Sequence, residues 1–149
     1  LLIAALEQEV GLLDGLRSVF VAQREALSAG DPRALDDGVF SATRIMRTMD
    51  EARRRRRHLT TTLLGSDLDF DELDAVLSDA RNRPVRNALM QVRDAAGRLR
   101  SEVRILRQVL QVSLSDNRRH LEVLLGDPPS GAMTPNAGSD TGAVLDRVG

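Results

Sequence analysis

Between Pro84 and Leu125, Val85, Leu89, Val92, Ala96, Leu99, Val103, Leu106 and Leu110 recur at alternating steps of four and three residues. That rhythm is the apolar seam of a helix packed lengthwise on other helices. It runs on through Ser113, Asn117, His120 and Leu124, so the register persists while the chemistry turns polar. Pro84 suits a first helical position, where no backbone donor is needed. Gly126, followed by Asp127, Pro128 and Pro129, is a stop. At about 1.5 Å per residue the helix would be about 60 Å long. Only another long helix, or a partner, can cover it.

A chain of 149 residues, 42% hydrophobic and 29% charged, supports one domain. Three Phe, no Tyr and no Trp leave an aliphatic core, which suits a helical bundle better than a sandwich or barrel. All 21 basic residues are Arg, a composition that reads as codon usage in a GC-rich genome. A net charge of −1 supplies no global field for nucleic acid or anionic lipid. Without cysteine there are no disulfides, thiolate nucleophiles or sulfur-ligated metals. The apolar opening Leu1 to Leu6 stops at Glu7, far short of the roughly 20 residues that span a bilayer. These features lead us to expect a soluble cytoplasmic protein with no direct membrane insertion.

The first helix is expected over 1–29, where Leu6, Leu13, Phe20 and Leu27 fall seven apart and Leu2, Glu9, Leu16 and Gln23 interleave. Gly30-Asp31-Pro32 supplies a helix-ending Gly, an N-cap and an N1 proline in succession. So short a connection makes its flanking helices antiparallel neighbours. The second helix, 32–64, offers Leu35, Val39, Ala42, Met46, Met49, Arg53 and Arg56 on one stripe. Folding the pair about Gly30-Asp31 pairs residues of constant number sum: Leu27 with Leu35, Gln23 with Val39, Phe20 with Ala42, Leu16 with Met46, Leu13 with Met49. The same sum predicts a Glu9–Arg53 contact, pinning register more than adding net stability. A short acidic helix over 71–80, with Leu73, Val76 and Leu77 on one side, leads into the long helix over 84–125. Together these form an all-α fold: an antiparallel hairpin plus a third long helix in a coiled-coil-like bundle, residues 1–125. The Gly-, Pro- and Ser-rich segment 126–149 is expected to be a disordered tail.

The second helix is 33 residues, and as many counted from Pro84 reach about Asp116. Later turns of the long helix should therefore outlast their neighbour. Just there a second apolar stripe, Ile105, Val109 and Val112, joins the seam residues Leu106 and Leu110. A third helix touching two others needs a wide stripe, so core packing is the favoured reading of Ile105 to Val112. Leu114, Leu121, Leu124 and Leu125, with Asn117 between them, read as a partner-binding surface. The run Arg53 to Arg57 points all round its helix, and its plainer reading is a solvated, partly paired segment. A docking patch for an acidic protein surface, through Arg54, Arg55 and Arg57, is the functional one. Nucleic acid fits poorly, because no aromatics are interleaved there for stacking.

Enzyme chemistry finds no footing. There is no Lys for a phosphate-binding loop. His58 and His120 lie on different helices with no second His or Cys nearby, and no Glu-x-x-His repeats build a di-iron site. Catalytic, cofactor-binding and metal residues are all expected to be absent.

The opening run EQEVGLLDGLRSVFVAQREALSAGD with Leu35, the stretch MDEARRRRRHL, and LRSEVRILRQVLQVSLSDNRRHLEVLLG resemble the FlgN-type flagellar export chaperones, over about residues 1–126. The resemblance implies a small cytoplasmic helical chaperone without ATPase activity. It would hold hook-associated (hook–filament junction) proteins unassembled and deliver them to the type III export gate or its ATPase complex. It also implies that the cargo's C-terminal helical region is taken up by the last part of the final helix and the segment after it, which falls on Leu106 to Leu125 here. One departure is the absence of tyrosine, which relatives often carry just past that helix. A chaperone of this kind is expected to be a monomer or weak homodimer. The contrasting expectation is a structural, self-associating coiled coil with no secretion role, which would form a stable dimer through the same stripe.

Overall fold

The structure is a computed structural model and describes residues 1–77, 79 and 82–126. Four helices and no strand occur among them: α1 (Leu2–Ala29), α2 (Pro32–Leu64), α3 (Phe70–Val76) and α4 (Arg83–Leu124). The tail expected over 126–149 lies outside the described residues from 127 onward. Two compact units divide the chain, Leu1–Leu114 and Ser115–Gly149, with the boundary inside α4.

The helix ends follow from local chemistry. Gly30 closes α1 in the left-handed region, φ 65°, where a side chain would be strained. Its N–H and that of Asp31 donate to the carbonyls of Leu27 and Ala26. The Asp31 carboxylate then accepts from the Arg33 and Ala34 N–H groups, each at 3.1 Å, and Pro32 opens α2. Gly65, φ 79°, ends α2. Asp69 and Glu72 form a capping box at the start of α3. That helix ends at Val76, short of the expected Ala80. Arg83, one residue before Pro84, begins α4.

α1 and α2 lie side by side, but α2 is turned from the expected face. Ala42, Met49, Ala52, Arg56 and Thr60 are buried, while Val39, Met46 and Arg53 are exposed. The heptad Leu35-Ala42-Met49-Arg56 is common to both readings; its companion set is Gly38-Ile45-Ala52, not Val39-Met46-Arg53. Small residues let the backbones approach. A Cβ on Gly38 would sit 2.5 Å from Gln23 Cγ, and one on Gly15 would meet Ile45 at 3.8 Å. The expected Gln23–Val39 and Leu16–Met46 pairings are thus replaced.

The Glu9–Arg53 contact is also corrected. Arg56 Nε donates to Glu9 Oε1 at 2.7 Å, with both side chains buried. Helical side chains lean toward their own N-terminus, so a long guanidinium reaches a partner opposite the preceding turn. The Arg run is accordingly not solvated throughout: its fourth member is core.

The core of the first unit gathers Leu2, Leu6 and Leu13 of α1 with Met49 of α2. Leu73 and Leu77, at and just after α3, join Ala88, Leu89, Val92 and Ala95 of α4. Val76, expected on the inner side of α3, is exposed. Two ion pairs tie α4 to α1: Arg98 to Asp14 at 3.1 Å, and Arg24 to a buried Glu102 at 2.9 Å. Numbers rise together along both helices, so α4 runs parallel to α1 within this unit. Arg86 and Arg93 hold Asp74, and Arg93 also holds Asp71, fastening α3 to α4.

Candidate partner-binding surface

Burial along α4 stops at Glu102, the last buried residue of the described chain. Beyond it, in the first unit, Leu106 and Val109 are half-buried, while Ile105, Leu110, Val112 and Leu114 are exposed. At 100° per residue Ile105, Val109 and Val112 share one side of α4, with Leu110 and Leu114 on another. The predicted residues of this unit thus occupy more than one side of α4. A groove of about 270 Å³ is lined by Gln108, Val109, Val112 and Ser113. The core packing favoured for Ile105 to Val112 is not met at Ile105 and Val112, which are exposed.

In the second unit, Asn117, Leu121 and Leu124 follow one another at helical spacing, with Leu125 beside them. All four are exposed, Leu124 to 80%. The Gly126 N–H donates to the Val123 carbonyl and Gly126 takes φ 74°, so the helical hydrogen bonding ends within a turn of these leucines. The polar neighbours Arg118 and Glu122 pair with each other at 3.2 Å. What remains is aliphatic surface whose removal from water is worth roughly 1.5–3 kcal/mol per fully buried side chain.

The sequence model of one protein family, described as FlgN protein, matches residues 1–134. The chain belongs to the FlgN family. Membership makes it one of the chaperones of flagellar biogenesis and export, a family not known for enzymatic activity. The family implies hook-associated proteins as cargo. Comparison with curated proteins and with solved structures gave no match.

Against that family identity the remaining chemistry is plain. No group of His, Cys, Asp or Glu among the described residues is placed to hold a metal ion. No described helix is long and apolar enough to cross a membrane. His58 and His120 are both exposed. Arg54, Arg55 and Arg57, the predicted secondary docking residues, are exposed on α2. The sequence reading missed two features beside them. One is the stacking of the Arg56 guanidinium on the Phe70 ring, 4.2 Å from its centroid, which joins α3 to the Glu9–Arg56 pair. The other is Phe40, which lies bare on α2 beside a cleft lined by Thr43, Arg44, Arg47, Thr48 and Glu51. Its signal was available: an aromatic two places before the buried Ala42 falls near the outer side of the same helix.

Proposed function

We propose that this chain is a cytoplasmic flagellar export chaperone that binds the C-terminal helical region of hook-associated proteins. In this reading α1, α2 and α4 form a three-helix body, and the C-terminal portion of α4 takes up cargo. Ile105, Leu106, Val109, Leu110, Val112 and Leu114 offer contacts in the first unit, and Asn117, Leu121, Leu124 and Leu125 in the second. An amphipathic cargo helix laid on such residues hides surface that otherwise drives assembly. A modest interface lets it go at the export gate or its ATPase complex.

The observation that carries the reading is the exposed leucine set at the end of α4 in a chain of the FlgN family. Leu121→Asp combined with Leu124→Asp should abolish capture of a hook-associated protein in a pull-down while leaving circular-dichroism helicity nearly unchanged. Retained capture by that variant refutes the assignment. A monomer or weak dimer that changes state when cargo is added is the expected solution behaviour. Light scattering showing a stable cargo-independent dimer would favour the self-associating coiled coil instead.

A further inference from the structure

We propose that the outer face of α2, centred on Phe40, Arg44 and Arg47, is a second docking surface for an acidic protein segment bearing an apolar side chain. This surface is independent of the cargo reading of α4.

With Arg56 drawn into the core, four of the remaining arginines of α2, Arg44, Arg47, Arg54 and Arg55, lie on the side opposite it, while Arg53 and Arg57 point elsewhere. Opposite the buried direction marked by Arg56 and Met49, Phe40, Arg44, Arg47, Arg54, Arg55 and His58 fall within a sector of about 100°. Every one of them is exposed. On this side, between residues 40 and 58, four exposed arginines, Arg44, Arg47, Arg54 and Arg55, stand against one exposed acid, Glu51, an excess of three positive charges on a chain whose net charge is −1. Arg44, Arg47, Arg54 and Arg55 form no ion pair with any described residue. Arg47 and Glu51 stand four apart in the weaker orientation, with the base N-terminal to the acid. The guanidinium groups are thus available to an outside carboxylate.

Phe40 supplies the anchor. The residue is 76% exposed and borders a cleft of about 450 Å³. The hydroxyls of Thr43 and Thr48 are occupied by the carbonyls of Val39 and Arg44. Methyl groups and arginine stems are left to the wall. Such a cleft takes one aliphatic or aromatic side chain while Arg44 and Arg47 engage acids on either side of it. Glu51 in the middle of the stripe, and Asp36 and Asp37 one turn before Phe40, set short negative stops. A continuous phosphate backbone would run across them; a folded or helical segment with spaced carboxylates avoids them.

The test uses a fluorescein-labelled peptide with a central leucine between runs of alternating glutamate and alanine. It is titrated with the full chain by fluorescence anisotropy. The wild-type chain should bind it. Arg44→Glu with Arg47→Glu should weaken binding at least about tenfold, as loss of central interface charges does. Arg44→Ala with Arg47→Ala should give a smaller loss, and Phe40→Ser a loss of several-fold. The variants must match wild type in circular dichroism. Leu121→Asp with Leu124→Asp should leave the peptide affinity unchanged, which separates this surface from the cargo surface. The proposal is overturned by absence of binding, by equal binding of a peptide with glutamine for glutamate, or by indifference to the arginine changes. It is likewise overturned if a thymidine oligonucleotide binds more tightly than the peptide, which would make the face a polyanion site.

Discussion

Glu9 and Arg56 show how much one pair of residues decides. Both are buried, and each supplies the other's countercharge. Removing one partner strands the other in low dielectric, a loss of about 3–5 kcal/mol, whereas exchanging the pair for well-packed apolar groups is often neutral. We therefore expect Arg56→Ala to lower unfolding stability by about that amount in urea titrations. Arg53→Ala, on the solvent side, should stay within about 0.5 kcal/mol of wild type. The reverse ranking would restore the Glu9–Arg53 register. That Glu9 needs a base from α2 was legible in the sequence, since it is the one acid in an apolar set. Which arginine answers was not. Counting residues places backbones opposite one another, while the contact is made at the tip of a side chain that leans back by about a turn.

Asp74 carries a second prediction of the same kind. The hydrogen bond from Arg86 holds its carboxyl below the ordinary value of 3.8, against a desolvation that pushes the other way; Arg93 adds to the lowering. A carboxylate depressed in the folded state contributes stability that is present above the unfolded value of about 3.9 and is lost as pH falls through the lower folded value. Between neutral pH and about pH 5 wild type and Asp74→Asn should differ by a constant amount. Below about pH 4 that difference should shrink, read as converging melting temperatures. A constant difference down to the acid limit would remove Asp74 from the acid sensitivity of α3 docking.

At the scale of the element, α2 shows why hydrophobic pattern and packing can part company. Val39-Met46 and Gly38-Ile45-Ala52 flank the same heptad from opposite sides, and hydrophobicity favours the first. Close approach favours the second, because α1 presents Gln23 directly over Gly38. Ala in place of Gly38 gains up to about 1 kcal/mol of helix propensity. It also drives a Cβ into a buried Gln23 side chain, and overpacking costs about 1–3 kcal/mol. We expect Gly38→Ala to be destabilising by about 1 kcal/mol, with Gln23→Ala in the same chain removing the penalty. A stabilised Gly38→Ala single variant would mean the two helices are not in close contact at that level. The helix ends, by contrast, were readable to within a residue or two at Gly30, Asp31, Gly65 and Gly126, since cap chemistry is local. The C-terminus of α3 was not, because a short acidic helix is set by what Leu73 and Leu77 pack against.

At the scale of the whole molecule, every buried residue among those described lies between Leu2 and Glu102. The ion pairs that join helices also lie within the first unit. Folding free energy and the exposed leucines Leu121, Leu124 and Leu125 are thus assigned to different parts of the chain. A chain ended after Leu114 keeps every buried residue among those described, and it should still unfold cooperatively. The loss of the second unit should move the melting temperature by no more than about 4 °C, the shift a change of about 1 kcal/mol gives at this size. The same truncated chain should fail to retain a hook-associated protein. Calorimetry together with a pull-down separates the outcomes. If truncation collapses the melting transition, the leucines serve the fold and are not free for cargo; if cargo is still captured, the binding surface lies on the first unit alone. A stable body that has lost its cargo is the result expected of a chaperone whose grip and whose core are built from different residues.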